Sequence, residues 1–154
     1  IEDAGASWLT VHARTKADGY TPPAYWEKIQ PITEALKINV IANGEIWNNA
    51  DAKACLQQSH CQDLMIGRGA VTTPDLTLCI RQNQDQAVLS WQDLVELQQR
   101  FLNGQFKTEV GMIGRYKQWL GMMTKAYPEA QQLWTQVKRI KQLEQIIEYL
   151  DKSC

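Results

Sequence analysis

Two short apolar runs in the sequence each end in a glycine turn that carries polar or charged side chains. The run 39–42 (N-V-I-A) leads into 43–45 (N-G-E), and the run 64–66 (L-M-I) leads into 67–69 (G-R-G). Glycine lets backbone N–H groups approach an anion closely, and a planar guanidinium matches two oxygens of a phosphate group. The sequence therefore predicts a phosphate cup built by Gly44, Gly67, Arg68 and Gly69.

His12 follows a third apolar run, 8–11 (W-L-T-V). Loops at the carboxyl ends of parallel strands share one face, so His12, Asn43 and Gly67 are expected to lie together. A histidine there can donate to a phosphate or to a ring, or it can be a hydrogen-bonded structural residue. The placement of all three motifs on successive units favours a phosphate-bearing cofactor or substrate.

The elements that carry these motifs alternate between strand and helix. Strands are expected to start near residues 8, 39 and 63, with helices over 25–36 and 49–58. A spacing of roughly 30 residues per unit is that of a (β/α)₈ barrel, which takes about 250 residues in all. We therefore predict the C-terminal part of a TIM barrel, about three β/α units, belonging to a longer protein. The alternative is a small open sheet complete in itself, whose bare strand edges favour aggregation.

After Pro74 the pattern becomes helical, so the predicted fold class is α/β followed by all-α. Helices are predicted over 75–84, 108–127 and 129–140, with a last one around 143–150. A capping box at Ser90 to Asp93 begins a further helix that ends at Asn103-Gly104. The predicted domains are residues 1–80, the barrel part, and residues 81–154, a small helical-bundle domain.

Charge is distributed unevenly along the chain. The net charge is −1, but the segment 100–141 holds eight basic residues against only Glu109 and Glu129. This segment favours a polyanionic partner, although a solvated helix face is the alternative. Within the helix 108–127, Gly114 and Gly121 share one side with lysines, which indicates close approach of another backbone, from either a packed helix or RNA.

The composition excludes several other classes. The chain has 154 residues, 44% of them apolar, and no run approaches the ~20 apolar residues of a membrane span. Cys55, Cys61, Cys79 and Cys154 lack C-x-x-C spacing and make a poor zinc set. The expectation is a reduced, cytoplasmic protein without a structural metal and without membrane association.

Several short motifs together resemble the tRNA-dihydrouridine synthase family. They are L-T-V-H-A-R-T at 9–15, G-Y at 19–20 with W-E-K-I at 26–29, V-I-A-N-G-E-I at 40–46 and M-I-G-R-G-A at 65–70. R-Y-K-Q-W-L at 115–120 is similar to the bacterial C-type subgroup, which reduces the uridine at position 16 of tRNA. Ala13 stands where the family usually has glycine, a small exchange, and Glu45 replaces the commoner aspartate as it does in that subgroup.

The resemblance implies an FMN enzyme whose α/β barrel is followed by a helical tRNA-binding domain. In such enzymes NADPH reduces FMN, the flavin passes hydride to a uridine turned out of the RNA, and a cysteine protonates the base. The FMN contacts implied by matching motifs are His12, Asn43, Gly44, Glu45, Gly67 and Arg68. The implied tRNA contacts are Arg115, Lys117 and Lys138.

The catalytic cysteine and the flavin-contacting lysine of that family lie on earlier strands, and no residue here occupies those places. We therefore expect this chain alone neither to reduce uridine nor to retain FMN tightly. The full-length protein is expected to be a monomer, whereas this chain by itself is expected to associate through its free strand edge.

Two other interpretations remain open from the sequence. One is a different FMN- or phosphate-binding barrel oxidoreductase, which shares the glycine turns but does not account for the basic helices. The other is a non-catalytic RNA-binding module, which accounts for Lys117 and Lys138 but not for the glycines at the strand ends.

Overall fold

The structure is a computed structural model that describes residues 1–19, 21–85, 89–104 and 108–153. Tyr20 of the G-Y motif and Cys154 therefore lie outside the described residues. The chain divides into two compact units. The first comprises Ile1–Ala70 and Pro74–Gln86, and the second comprises Val71–Thr73 and Ala87–Cys154.

The first unit contains a three-stranded parallel sheet. Its strands are β1 (Trp8–His12), β2 (Asn39–Asn43) and β3 (Asp63–Met65), in the spatial order β1-β2-β3. The register aligns His12 with Asn43 and Asn43 with Met65. The last residues of all three strands thus form one row, which confirms the predicted parallel arrangement.

Helices connect and follow the strands. The 3-10 helices are Glu2–Ala4 and Trp26–Lys28, and the α-helices are α1 (Gln30–Ala35), α2 (Asn49–Ser59), α3 (Arg68–Thr72) and α4 (Leu76–Arg81). The Asn48 side chain caps α2 by accepting from the Asp51 N–H, which satisfies one of the unpaired donors of the first turn.

The helical stretch predicted over 25–36 is confirmed, but the structure divides it into the 3-10 helix Trp26–Lys28 and α1. Pro31 lies in the first turn of α1. Proline has no N–H, and its ring clashes with the carbonyl four residues earlier, so an α-helix cannot run unbroken through Glu27 to Pro31. The chain therefore restarts its helix at Gln30.

The second difference concerns the G-R-G turn. Arg68 and Gly69 belong to α3, whose first residue is Arg68. The Ala70 N–H donates to the Gly67 carbonyl at 3.1 Å, so the chain turns into the helix immediately after β3. A helical turn here holds Arg68 close to the strand ends.

The helices of this unit cover one face of the sheet. Val40 and Ala42 of β2 are buried in a core with Ile29, Ala52 and Cys55. Since successive strand residues face opposite sides, the other face carries the alternate positions. Two of these, Trp8 and Met65, are 63% and 47% exposed.

The described part of the second unit consists of helices joined by short turns. Its longer helices are α5 (Trp91–Leu102), α6 (Glu109–Met123), α7 (Pro128–Val137) and α8 (Leu143–Asp151). The predicted capping box is present, with Ser90 and Asp93 bonding each other's backbone N–H groups. The residues at the centre of its core are Leu94, Tyr116, Leu120, Leu133, Ile146 and Leu150. The assignment of a helical-bundle domain stays a prediction.

The helix α6 ends at Met123, before the predicted end at Tyr127. Tyr127 has an extended backbone, with φ −125° and ψ 120°, and precedes Pro128. The residue before a proline is excluded from the helical region by the proline ring. Pro128, which occupies the first turn of α7, therefore explains why Tyr127 is extended and separates the two helices.

Within the described residues, no helix is long and apolar enough to cross a membrane. The same residues contain no group of three or more His, Cys, Asp or Glu side chains placed to hold a metal ion. Cys55, Cys61 and Cys79 are buried.

Candidate functional site

A cavity of about 300 Å³ lies at the carboxyl ends of the strands in the first unit. It is lined by all six residues assigned to cofactor binding from the sequence, together with Gly69 of the predicted cup. The other lining residues are Ile46, Trp47, Met65 and Ile66. The structure thus brings the His12, N-G-E and G-R-G motifs to one site, as expected from their positions in the sequence.

Asn43 ties the ends of the three strands together. Its Oδ1 lies 2.6 Å from Nδ1 of His12, and its Nδ2 donates to the Met65 carbonyl at 2.7 Å. An amide side chain can accept through its oxygen on one side and donate through its nitrogen on the other. The acceptor at Asn43 places the imidazole proton on Nδ1, and Nε2 of His12 has no partner among the residues described.

The turn after β2 requires glycine at position 44. Gly44 has φ 130°, a conformation that L side chains rarely adopt. A Cβ there would lie 3.4 Å from Cβ of Ala13, so a small residue at position 13 suits the turn. The Trp26 indole N–H donates to the Gly44 carbonyl at 2.7 Å and holds the turn from the helical side.

The Glu45 carboxylate is the centre of a charged cluster. Its Oε1 lies 2.9 Å from Nη2 of Arg14 and 2.5 Å from Nη2 of Arg68. Its Oε2 accepts from the Trp47 indole N–H at 2.9 Å. The guanidinium of Arg68 also lies over the Trp47 ring, 5.3 Å from its centroid. These contacts hold Glu45 in a left-handed backbone conformation, φ 52°, that is uncommon for a residue other than glycine.

The cluster carries an excess of positive charge. Burial works to raise the pKa of the Glu45 carboxyl, but the hydrogen bond from Trp47, the close contact with Arg14 and the charges of Arg14 and Arg68 outweigh it. The pKa of Glu45 is therefore lowered, and the group is a carboxylate at neutral pH. Two guanidinium groups around one carboxylate leave a net charge of +1 beside the cavity.

The two glycines of the G-R-G motif have different roles. A Cβ on Gly69 would lie 2.0 Å from the Ile46 carbonyl oxygen and 2.9 Å from a methyl carbon of Leu76. Gly69 is therefore needed because the turn after β2 packs directly on its backbone. A Cβ on Gly67 would meet nothing within 4 Å, so this glycine leaves open space beside the cavity.

The arrangement suits an anion with hydroxyl groups nearby. Arg68 is 42% exposed, and its guanidinium can reach a ligand while Glu45 orients it. The imidazole of His12 adds an acceptor, Nε2, for a hydroxyl of the ligand. A phosphate monoester bound at Gly67 and Arg68 would meet a positive field and an unobstructed backbone.

Three side chains of the site were not assigned a role from the sequence. Arg14 is fully buried as a side chain and contacts Glu45, while Trp26 and Trp47 donate to the N-G-E turn. Arg14 follows His12 by two residues, in the motif H-A-R-T, and that proximity was the one available signal. The contacts themselves depend on tertiary structure, because Arg14 and Glu45 are far apart in sequence.

The second unit holds the three residues assigned to tRNA. Arg115 and Lys138 are exposed. Lys117 is half-buried, and its ammonium donates to the Lys138 carbonyl at 3.1 Å and to the Ile140 carbonyl. Burial, together with the charge of Lys141, lowers the pKa of Lys117. Lys117 therefore joins α6 to the segment that follows α7, a structural contact not foreseen from the sequence.

The glycines of α6 do not require close helix packing. A Cβ on Gly114 would meet nothing within 4 Å, and one on Gly121 would make ordinary contacts of 3.7 to 3.9 Å with the Trp134 ring. The packed-helix explanation therefore does not account for Gly114. The space above Gly114 is open among the described residues of this unit.

Comparison with known proteins identifies the class. The family model for dihydrouridine synthase (Dus) matches residues 1–153, so the chain belongs to the dihydrouridine synthase family. This confirms the family resemblance found in the motifs.

Several curated relatives carry the name tRNA-dihydrouridine(16) synthase. The protein of Shewanella oneidensis is 43% identical over 99% of this chain and 49% of its own length. Those of Pseudomonas putida and Haemophilus influenzae are 42% and 40% identical, over 90% and 95% of this chain and 45% and 47% of their own lengths. The chain thus spans about half the length of the curated relatives it matches.

Proposed function

We propose that the protein is an FMN-dependent tRNA-dihydrouridine synthase that reduces uridine 16 of tRNA with NADPH as reductant. The relatives that carry this name are similar along nearly the whole chain. The observation that carries the proposal is the single cavity lined by His12, by the N-G-E turn and by the G-R-G motif. In this proposal the chain supplies the site for the phosphate and ribityl end of the cofactor.

The residues present fit the charged end of FMN. The net positive charge around Glu45 and the open backbone at Gly67 suit a phosphate monoester. Arg68 would bind the phosphate group with its guanidinium. Asn43 and Glu45 at the strand ends would orient the ribityl hydroxyls, and Nε2 of His12 would accept a hydrogen bond from one of them.

We also propose that β1 to β3 are strands of a TIM barrel whose remaining strands belong to the rest of a longer protein. The helices pack on one face of the sheet, as they do on the outside of such a barrel. The opposite face leaves Trp8 and Met65 exposed, which suits an interior that other strands would cover. The cavity lies at the carboxyl ends of the strands, where barrel enzymes place their active sites.

Bound FMN would supply the hydride that saturates the 5,6 double bond of uridine. The part played by this chain would be to hold the cofactor and the RNA. The described cysteines are buried and none lines the cavity, and burial raises the pKa of the Cys55 thiol to about 12. A thiol that protonates the base would therefore come from outside the described residues, and the chain alone is expected to be inactive.

The basic residues of the second unit would bind the tRNA backbone. Arg115 and Lys138 are exposed cations on α6 and at the end of α7, within the basic segment 100–141. Such contacts hold an RNA strand without reading its sequence while the target uridine leaves its stack. Lys117 would act mainly by fixing the backbone that carries Lys138.

A chimera tests this function. The chain replaces the matching part of the Shewanella oneidensis relative, and purified chimera is incubated with FMN, NADPH and unmodified tRNA. Mass spectrometry is expected to find dihydrouridine at position 16, and the same chimera with Arg68→Gln is expected to lose at least about tenfold in FMN affinity.

Two results would contradict the proposal. A folded chimera that binds tRNA without taking up FMN would favour a non-catalytic RNA-binding module. A chimera that binds FMN and oxidises NADPH but ignores tRNA would favour another flavin-dependent barrel oxidoreductase.

A further inference from the structure

Arg14 is the one arginine of the cluster that cannot touch a ligand in the cavity. Its side chain has no exposed surface, and it is not among the residues that line the cavity. Its Nε donates to the Pro23 carbonyl at 3.2 Å, and its Nη2 lies 2.9 Å from Glu45 Oε1. Nη1 and Nη2 are both buried and neither makes a hydrogen bond of good geometry among the described residues, so Nη2 meets Glu45 as an ion pair. The guanidinium is therefore a buried charge directed at Glu45.

Arg68 contacts the same carboxylate oxygen. Its Nη2 lies 2.5 Å from Glu45 Oε1, but its side chain is 42% exposed and does line the cavity. Glu45 thus lies between a fully buried arginine and an exposed one. Only Arg68 can turn toward a ligand without leaving the cluster.

We propose that Arg14 is a positioning residue for phosphate recognition, because its buried charge neutralises Glu45 and leaves the charge of Arg68 available to the phosphate group of the cofactor. This inference rests on the proposed function and assigns a role within the same site. With Arg14 in place the cluster has a net charge of +1. Without Arg14, Arg68 and Glu45 cancel each other, and the carboxylate repels the phosphate group.

A buried arginine can also be simply structural, since removal of one partner of a buried ion pair leaves the other uncompensated. The two roles differ in what they predict for ligand choice. A structural role affects FMN and riboflavin alike, because the two ligands differ only in the phosphate group. The proposed role affects FMN alone, so the ratio of the two affinities isolates it.

The experiment uses the full 154-residue chain. FMN and riboflavin are titrated separately, with the indole N–H resonance of Trp47 followed by NMR, which measures weak as well as tight binding. The variants are Arg14→Met, Arg14→Lys and the double variant Arg14→Met with Glu45→Gln. Arg81→Met, which removes an exposed arginine of α4, is the matched charge control.

Arg14→Met is expected to lower the FMN-to-riboflavin affinity ratio about tenfold, because one unit of positive charge beside the phosphate is lost. Arg14→Lys keeps the charge and is expected to stay within about threefold of the unmodified chain. The double variant restores the net charge of +1 and is expected to recover the ratio. Arg81→Met is expected to leave it unchanged.

The outcomes separate this inference from the proposed function. If the unmodified chain prefers FMN to riboflavin but Arg14→Met keeps the preference, the role of Arg14 is overturned while the phosphate site stands. If the unmodified chain binds neither flavin, or binds both equally, the phosphate site itself is overturned. Should Arg14→Met fail to fold, failure of the double variant to match the unmodified chain would still refute the charge argument.

Discussion

The most specific structural prediction concerns the two glycines of the G-R-G motif. Gly69→Ala places a methyl group 2.0 Å from the Ile46 carbonyl oxygen and 2.9 Å from Leu76 Cδ2. The carbonyl belongs to the main chain directly after Glu45, so it cannot rotate away as a flexible side chain could. Either α3 or the turn after β2 must move.

The expected cost follows from that geometry. Overpacking a well-filled site costs typically about 1–3 kcal/mol, and contact with a main-chain atom belongs at or above the upper end of that range. We expect Gly69→Ala to lower the free energy of unfolding by about 3 kcal/mol. For a chain of this size that corresponds to a decrease in Tm of roughly 6–12 °C.

Gly67→Ala is the matched control, because it adds the same methyl group two residues earlier where nothing lies within 4 Å. Its φ is outside the left-handed region, so alanine is tolerated there. We expect its stability to be unchanged or raised by up to about 1 kcal/mol, since alanine restricts the unfolded chain. Its FMN affinity is expected to fall, because the methyl group occupies space where the phosphate would meet the backbone.

Thermal unfolding gives the stability of both variants. Faster amide hydrogen exchange over residues 39–46 in Gly69→Ala would locate the destabilisation in the first unit. If Gly69→Ala unfolds at the same temperature as the unmodified chain, or if Gly67→Ala lowers the unfolding temperature more, the Ile46 carbonyl does not restrict position 69 as described. Faster exchange confined to the second unit would also contradict this restriction.

Three further predictions follow from single residues. The pKa of Glu45 is lowered in the folded chain, so the Glu45 carboxylate stabilises the fold at pH values above its ordinary pKa of 4.5. This stabilisation is lost as the pH falls through the pKa of Glu45 in the folded chain. The difference in stability between the unmodified chain and Glu45→Gln, measured by urea unfolding, should therefore shrink on acidification. Lys117→Met removes two hydrogen bonds to backbone carbonyls and should lower the free energy of unfolding by about 1 kcal/mol. Lys138→Met should lower the slope of log affinity for tRNA against log salt concentration by about 0.7, and Lys117→Met should change that slope less. Gly114→Ala should raise the stability of α6 by about 0.5–1 kcal/mol in thermal unfolding and weaken tRNA binding in a filter assay if RNA approaches that face.

Each of these has a clear contrary result. A stability difference for Glu45→Gln that is constant from pH 7 to pH 3 would mean that the carboxylate charge contributes nothing. An equal reduction of the salt slope by Lys117→Met and Lys138→Met would mean that both lysines contact phosphate directly. Unchanged tRNA affinity in a stabilised Gly114→Ala variant would leave that glycine without a role in RNA binding.

The sequence was most informative where a local signal decides the structure. Ser90 and Asp93 predicted a capping box, and the three apolar runs predicted the strands, because caps and strand periodicity depend on residues close together in the chain. Pro31 was the exception among local signals. A helical stretch was predicted across Pro31, but proline has no N–H and its ring clashes with the preceding turn, so α1 begins only at Gln30.

By itself, the sequence determined that three polar motifs follow three parallel strands, and this was enough to bring His12, Asn43 and Arg68 to one cavity. Tertiary structure alone decided that Arg14 and Arg68 share one oxygen of Glu45, and that Gly69 packs on the Ile46 carbonyl. It likewise decided that Lys117 binds backbone carbonyls instead of standing free. The physical reason is that strand order and register place motifs at a common edge, whereas the partner of each side chain depends on how segments distant in sequence pack against each other.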